Sequence, residues 1–178
     1  MKVLVLDRDG VINEDSPDYI KSVEEWQPIP GSIEAIARAS KAGYTIAVAS
    51  NQSGLARGLF DLDALTEIHD RMIEAVEDAG GRIDIITWCP HHPDEDCECR
   101  KPRIGLLMRI EQELGVSLAG QWFVGDSARD LEAARAAGMI PVLVRTGNGS
   151  KIENDIDRRE VRVFDDLAGA VEELLKNA

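Results

Sequence analysis

The sequence predicts an α/β protein with a doubly wound parallel sheet. Short apolar β-branched runs alternate with amphipathic helical stretches along the whole chain, the pattern of a sheet covered on both faces. Several of the apolar runs stop abruptly in polar residues, and in a parallel sheet such strand ends lie along one edge, where ligands bind. At 178 residues, with 44% hydrophobic and 30% charged residues, the chain has the size and composition of a single globular domain spanning 1–178.

The first strand is Val3-Leu4-Val5-Leu6, which ends in Asp7-Arg8-Asp9-Gly10. Glu14 to Pro30 carries Pro17, Pro28 and Pro30 and reads as a loop with at most a turn of helix. Ile33, Ile36 and Ala37 give a helix from Gly31 to Ala42, stopped at Gly43. Thr45 to Ala49 is a second strand, halted by Ser50-Asn51-Gln52-Ser53-Gly54. Asp61 caps a long helix to about Ala79, with Leu65, Ile68, Met72, Ile73 and Val76 on one face. Ile83 to Trp88 is the third strand, and Cys89 to Arg103 a polar loop. A helix over Ile104 to Leu114 leads to a strand over Gln121 to Val124, which stops at Gly125-Asp126. A helix from Ala128 to Ala137, a strand from Ile140 to Val144 and a Gly- and Asn-rich loop from Thr146 to Asp157 follow. A short strand near Val161 to Phe164 and a helix from Asp165 to Leu175 close the chain.

The net charge of −13 argues against nucleic acid as a partner, because a binder would carry a basic face. No apolar run approaches the roughly 20 residues of a membrane span. The chain opens directly into a strand, without a signal-peptide pattern, so a cytoplasmic location is expected.

Two constellations carry chemistry. In the first, Asp7 and Asp9, Ser50 and Asn51, and Asp126 lie at three strand ends, so residues far apart in sequence can converge. Buried carboxylates are costly unless a cation or donors receive them. Asp7 and Asp126 suit Mg²⁺, a hard cation that takes one or two carboxylates plus phosphate oxygen and water. Asp130, one helical turn beyond Asp126, can face the same pocket. Lys101 would balance these acids and hold a phosphate, with the Ser50 hydroxyl and the Asn51 amide as further phosphate ligands. Such a set suits phosphoryl transfer through a carboxylate nucleophile with a second acid as proton donor and acceptor. Asp7, which ends the strand, is the better nucleophile candidate, although spacing alone leaves the order of Asp7 and Asp9 open.

In the second, the three cysteines all fall between Cys89 and Cys99. Cys89, Cys97 and Cys99 with one imidazole form a Cys₃His set, the ligands of a closed structural Zn²⁺ site. His91 is the expected fourth ligand because it forms a CxH that mirrors the later CxC, with His92 as the fallback. His69 reads as a surface or half-buried helix residue, and the three tryptophans read as packing residues.

DRDGVIN, the strand ending in Ser50-Asn51, Lys101 and GDSARD resemble, in order, the four motifs of the haloacid dehalogenase-like phosphohydrolases. The Cys-His loop and SNQSGLARG narrow the resemblance to the histidinol-phosphatase-like subfamily. The resemblance implies a Rossmann-like core with Asp7 as nucleophile, Asp9 as acid/base, and Ser50 and Lys101 as phosphate ligands. It implies Mg²⁺ on Asp7, Asp126 and the Asp9 carbonyl, with Asp130 in support. It further implies a substrate lined by Asp15, Ser16, Pro17 and Asp18, by Ser50, Asn51, Gln52 and Ser53, and by Arg100 with Lys101. That substrate would be a sugar bisphosphate losing its C7 phosphate on the route to nucleotide-activated heptose, for lipopolysaccharide or other surface glycans. A monomer is expected. The short segment from His91 to Cys97 is a length also seen in histidinol-phosphate phosphatases, the alternative reading. A reading from another class is a phospho-acceptor or Mg²⁺-binding module without turnover, against which Asp9 argues. The gaps of roughly 30 residues after Asn13 and 50 after Ser50 leave no room for a separate cap domain.

Overall fold

The computed structural model describes residues 1–178. Six parallel strands form one sheet in the order β3-β2-β1-β4-β5-β6. In chain order the elements are β1 Lys2–Leu6, α1 Ser32–Lys41, β2 Tyr44–Asn51, α2 Leu62–Asp78, β3 Ile85–Cys89, α3 Gly105–Leu114, β4 Trp122–Gly125, α4 Ala128–Ala136, β5 Ile140–Val144, α5 Gly149–Ile152, β6 Arg162–Phe164 and α6 Leu167–Lys176. The order reverses between β1 and β4, and that switch point is where an open α/β sheet leaves a crevice.

The period of two along each strand sorts the core into two layers. Leu4, Leu6, Ile46 and Val48 point to the face covered by α1, α2 and α6, where they meet Ile36, Ile68, Met72 and Val171. Val3, Val5, Ala47 and Phe123 point to the opposite face, against Leu106, Leu107 and Ile110 of α3 and Ala133 and Ala134 of α4. No helix is long and apolar enough to cross a membrane.

Helix starts follow their caps. Asp61 accepts the Ala64 N–H at 2.8 Å and opens α2. Ser127 and Asp130 form a reciprocal capping box on α4. Asp166 accepts the Gly169 N–H, so the last helix begins at Leu167 rather than at Asp165. β2 runs two residues past Ala49, because its pairing with β3 continues through Ser50↔Trp88 and Asn51↔Cys89. The Gly- and Asn-rich stretch after β5 contains the short helix α5.

His69 departs from the sequence expectation. It is 6% exposed on α2, its ring packs at 5.6 Å from that of Trp88, and its Nε2 lies 3.3 Å from Arg8 Nη1. Burial, and then the Arg8 cation, lower its pKa from 6.5 to about 3. The unfolded chain therefore takes up a proton below about pH 6.5 that the folded protein refuses until about pH 3, so stability is complete above that window and is lost as pH falls through it. Urea denaturation across pH 3–7 is expected to show an extra slope of about 1.4 kcal/mol per pH unit in the wild type relative to His69→Gln. Ile46, fully buried in β2, gives the core prediction: Ile46→Ala costs about 2–5 kcal/mol in the same measurement.

Candidate active site

The carboxyl ends of β1, β2 and β4 meet at the switch point, in a polar cleft of about 400 Å³. Asp7 continues from β1, and its backbone N–H still bonds the Val124 carbonyl of β4 at 2.9 Å. The chain then turns on itself, with the N–H groups of Ile12 and Asn13 donating back to the Arg8 carbonyl. Gly10 makes that turn possible: its φ is +85°, and a Cβ there would collide with Asp126 Oδ2.

Lys101 is the centre of the site. Its ammonium is 2% exposed and donates to Asp7 Oδ1 at 2.9 Å and to the Ala49 carbonyl at 2.7 Å, and it pairs with Asp130 Oδ1 at 2.7 Å. Lys101 comes from a loop, so something must hold its backbone. Asn51 does this with two bonds: its Nδ2 donates to the Lys101 carbonyl, and its Oδ1 accepts the Lys101 N–H. Burial works against the charged lysine, but Asp130 and Asp7 outweigh it and raise its pKa.

The acids divide by surroundings. Asp130 Oδ2 receives the backbone N–H groups of Asp126 and Ser127 and the Ser127 hydroxyl, so Asp130 is committed to the turn and to Lys101. Asp126 Oδ2 receives the Asn148 N–H at 2.9 Å. Asp9 Oδ1 receives Arg8 Nε and Nη2 and Asn13 Nδ2, while Oδ2 receives Gln52 Nε2. Burial opposes ionisation of Asp9, but Arg8 and these donors lower its pKa overall. Burial and the Asp130 charge raise Asp7 well above the carboxylate range, and they push Asp126 up to about 7. Four carboxylates thus face two cations, Arg8 and Lys101, leaving two negative charges. Carboxylate oxygens of Asp7, Asp126 and Asp130 lie within 4.8 Å of one another. This all-oxygen cluster, with two of its acids resisting ionisation, fits a small hard divalent cation.

The second cluster is equally compact. The Sγ atoms of Cys89, Cys97 and Cys99 are 3.1–3.6 Å apart, and His91 Nδ1 lies 3.1 Å from Cys99 Sγ and 3.5 Å from Cys89 Sγ. Tetrahedral Zn²⁺ with Zn–S bonds of about 2.3 Å needs sulfurs about 3.8 Å apart, so the donor set fits with a slight opening. His92 stays out of the cluster and caps a short turn, its Nδ1 accepting the Asp94 N–H.

Most of the residues expected from sequence line the cleft: Asp7, Asp9, Asp15, Ser16, Pro17, Asn51, Gln52, Ser53, Arg100, Lys101, Asp126 and Asp130. Two do not. Asp18 is exposed outside it, and Ser50 is 1% exposed, its Oγ accepting Gln52 Nε2 at 2.7 Å. The sequence reading missed Tyr19, Arg129 and Asn148, which also line the cleft, as does Arg57. Asn148 follows a positive-φ Gly147 in the TGNG turn, the one local signal that marked it.

Known proteins share this sequence and fold. A family model described as HAD-hydrolase-like matches residues 98–170. The chain is 55% identical to a D-glycero-β-D-manno-heptose-1,7-bisphosphate 7-phosphatase of Pseudomonas aeruginosa, covering 98% of each chain. It is 51% identical to the protein of that name from Bordetella bronchiseptica, over 100% of both. A crystal structure of D,D-heptose 1,7-bisphosphate phosphatase from B. bronchiseptica, complexed with magnesium and phosphate, superposes with a TM-score of 0.96 at 50% identity over both full chains. The corresponding structure from Burkholderia thailandensis gives 0.77 at 40% identity over 98% of this chain and 99% of that one. With such identity over its whole length, and the same fold, the chain belongs to the D-glycero-β-D-manno-heptose-1,7-bisphosphate 7-phosphatase family of HAD-like hydrolases.

Proposed function

We propose that this protein is a Mg²⁺-dependent phosphatase that removes the C7 phosphate of D-glycero-β-D-manno-heptose 1,7-bisphosphate. The product is the 1-phosphate, a precursor of nucleotide-activated heptose for surface glycans. The observation that carries the reading is the convergence of Asp7, Asp9, Lys101 and Asp126 in one cleft, in a chain that shares half its residues with enzymes named for this reaction.

Asp7 is the nucleophile. Its Oδ1 is occupied by Lys101 and by the Arg8 N–H, which leaves Oδ2 to attack phosphorus. Lys101 offsets the charge of the incoming phosphate and keeps Asp7 oriented. Asp9 protonates the departing C7 alkoxide, giving an aspartyl-phosphate on Asp7. It then takes a proton from the water that hydrolyses the acyl-phosphate, which frees the Asp7 carboxylate and returns Asp9 to the protonated form in which it entered. Asp7, Asp126 and the Asp9 carbonyl would hold Mg²⁺, with Asp130 supporting through Lys101. Bound there, the ion supplies neutralisation of the phosphoryl oxygens and of the carboxylates they approach. Cys89, His91, Cys97 and Cys99 would hold a structural Zn²⁺, a set of four protein ligands suited to fixing the loop rather than to catalysis. Ser50 supports Gln52, and so Asp9, from beneath the cleft rather than meeting phosphate from its wall. Every group invoked comes from one chain, so a monomer suffices.

The rim of the cleft favours the bisphosphate over histidinol phosphate. Arg57, Arg100 and Arg129 all line it, and none of them has an acidic partner within ion-pair distance. Arg100 Nη1 is buried with no acceptor, and burial, followed by the Arg129 cation, lowers the pKa of Arg100. Unpaired guanidiniums suit a second phosphate, which they bind bidentately, and repel an amine.

With Mg²⁺ present, the wild type is expected to release one phosphate from the β-bisphosphate, leave the 1-phosphate and turn over histidinol phosphate poorly. Asp7→Asn should abolish release. Arg100→Ala should raise KM for the bisphosphate about 10–100-fold, the loss of a charge-assisted contact, with a much smaller effect on a monophosphate. A preference for histidinol phosphate would sink the substrate assignment. Mg²⁺ at about a hundredfold over its Kd should stabilise the wild type by about 2.7 kcal/mol in thermal melts. Asp126→Asn should remove that gain. Stripping zinc with a chelator, checked by metal analysis, should lower Tm, and Cys99→Ser should abolish zinc retention.

A further inference from the structure

We propose that Arg8, seated on His69, is a positioning residue that locks the Asp9 carboxylate and confines proton transfer to Asp9 Oδ2. The inference rests on the reading of Asp9 as the acid/base. It concerns two buried side chains outside the cleft lining, Arg8 at 0% and His69 at 6% exposure.

Neighbouring residues on a strand point to opposite faces. Arg8 and Asp9 escape that rule because the strand has ended and the chain turns back at Gly10. The Arg8 side chain lies against its neighbour, and its fork is used asymmetrically. Nε and Nη2 both donate to Asp9 Oδ1, at 3.0 and 2.8 Å, instead of bridging the two oxygens. Asn13 Nδ2 adds a third donor to the same oxygen at 3.0 Å. Three donors leave Oδ1 no accessible lone pair, whereas Oδ2 carries only Gln52 Nε2 at 3.0 Å. One carboxylate oxygen is therefore anchor and the other is left for the proton.

The remaining end of the guanidinium needs its own partner. Nη1 lies 3.3 Å from His69 Nε2, and Trp88 packs against the imidazole. Arginine has donors only, so Nε2 is the acceptor and any ring proton sits on Nδ1. α2 and β3 thus fix the arginine, and the arginine fixes the acid. A purely structural ion pair would slow every substrate alike. A device that aims a proton matters most where the leaving group needs one.

The test compares two substrates by rapid mixing, reading the first turnover: the heptose bisphosphate, whose alkoxide must be protonated, and p-nitrophenyl phosphate, whose phenolate leaves without a proton. Arg8→Lys, which keeps the charge but not the fork, should slow the phosphorylation step with the bisphosphate about 10–100-fold. KM should stay within about threefold, and the nitrophenyl burst should change less than about threefold. His69→Leu should show the same split more weakly, and His69→Gln, whose amide oxygen can accept from Arg8, should restore wild-type rates. If Arg8→Lys fails to fold, the His69 pair decides, because it leaves the Arg8–Asp9 contact in place. Equal slowing of both substrates, or wild-type rates in Arg8→Lys and His69→Leu, overturns the inference alone. A wild type that turns over neither substrate overturns the phosphatase reading and this inference with it.

Discussion

A buried lysine organises this protein. The Lys101 ammonium is almost wholly withdrawn from water, and such a group survives inside a protein only when its charge is met on every side. Asp7 at the end of β1, the Ala49 carbonyl near the end of β2 and Asp130 at the start of α4 meet it. One cation therefore ties three elements that are distant in sequence, and its reach sets the spacing between them. The same contact dictates the charge that remains. Lys101 and Arg8 are the cations set against the four carboxylates Asp7, Asp9, Asp126 and Asp130, and burial together with the Asp130 charge raises the pKa values of Asp7 and Asp126. A divalent cation and a phosphate then enter as complementary partners: the first relieves the acids, the second the lysine and the rim arginines.

The placement of Lys101 gives the Cys-His cluster a structural reason. The loop from Pro90 to Ile104 has no strand or long helix, and its side chains are mostly half-exposed or exposed. Hydrophobic burial cannot fix it, and α3 begins at Gly105 with no side-chain cap from Ile104. Yet the loop must deliver Lys101 into a closed pocket to within a few tenths of an ångström. Three thiols and an imidazole gathered beside Arg100 supply the missing rigidity, and the Asn51 clasp supplies the register. Cys89 belongs at once to β3 and to that cluster, so the loop is rooted in the sheet.

The fold was legible because each strand and helix announces itself by period, and the site because acids at the ends of apolar strands break that pattern. Asp7, Asp9, Asp126 and the Cys₃His set stand out for this reason. What stayed hidden depends on partners that local pattern does not encode. Ser50 and Asn51 look like a loop start, but the ladder to β3 carries them on as strand and turns the Ser50 hydroxyl inward. Arg129 reads as an ordinary residue on the first turn of a helix until the topology sets that turn beside Arg100. His69 sits among the apolar positions of α2 and reads as a half-buried helix residue. Only the return of the chain after Asp7 brings a guanidinium to it.

A site without a separate cap domain needs another way to keep the Asp9 carboxylate in place. In a closed pocket the walls restrict every group, whereas here the Asp9 side chain is 23% exposed and borders an open cleft. A carboxylate in that position would lose orientation to water unless it were held from behind. The short turn after β1 places Arg8 where it can do so, out of contact with solvent, and the helix behind it closes the arrangement with a neutral imidazole. Restraint that other architectures could draw from a cap is here drawn from the core. On the proposed function, substrate discrimination falls to the rim, where Arg57, Arg100 and Arg129 line the cleft without an acidic partner.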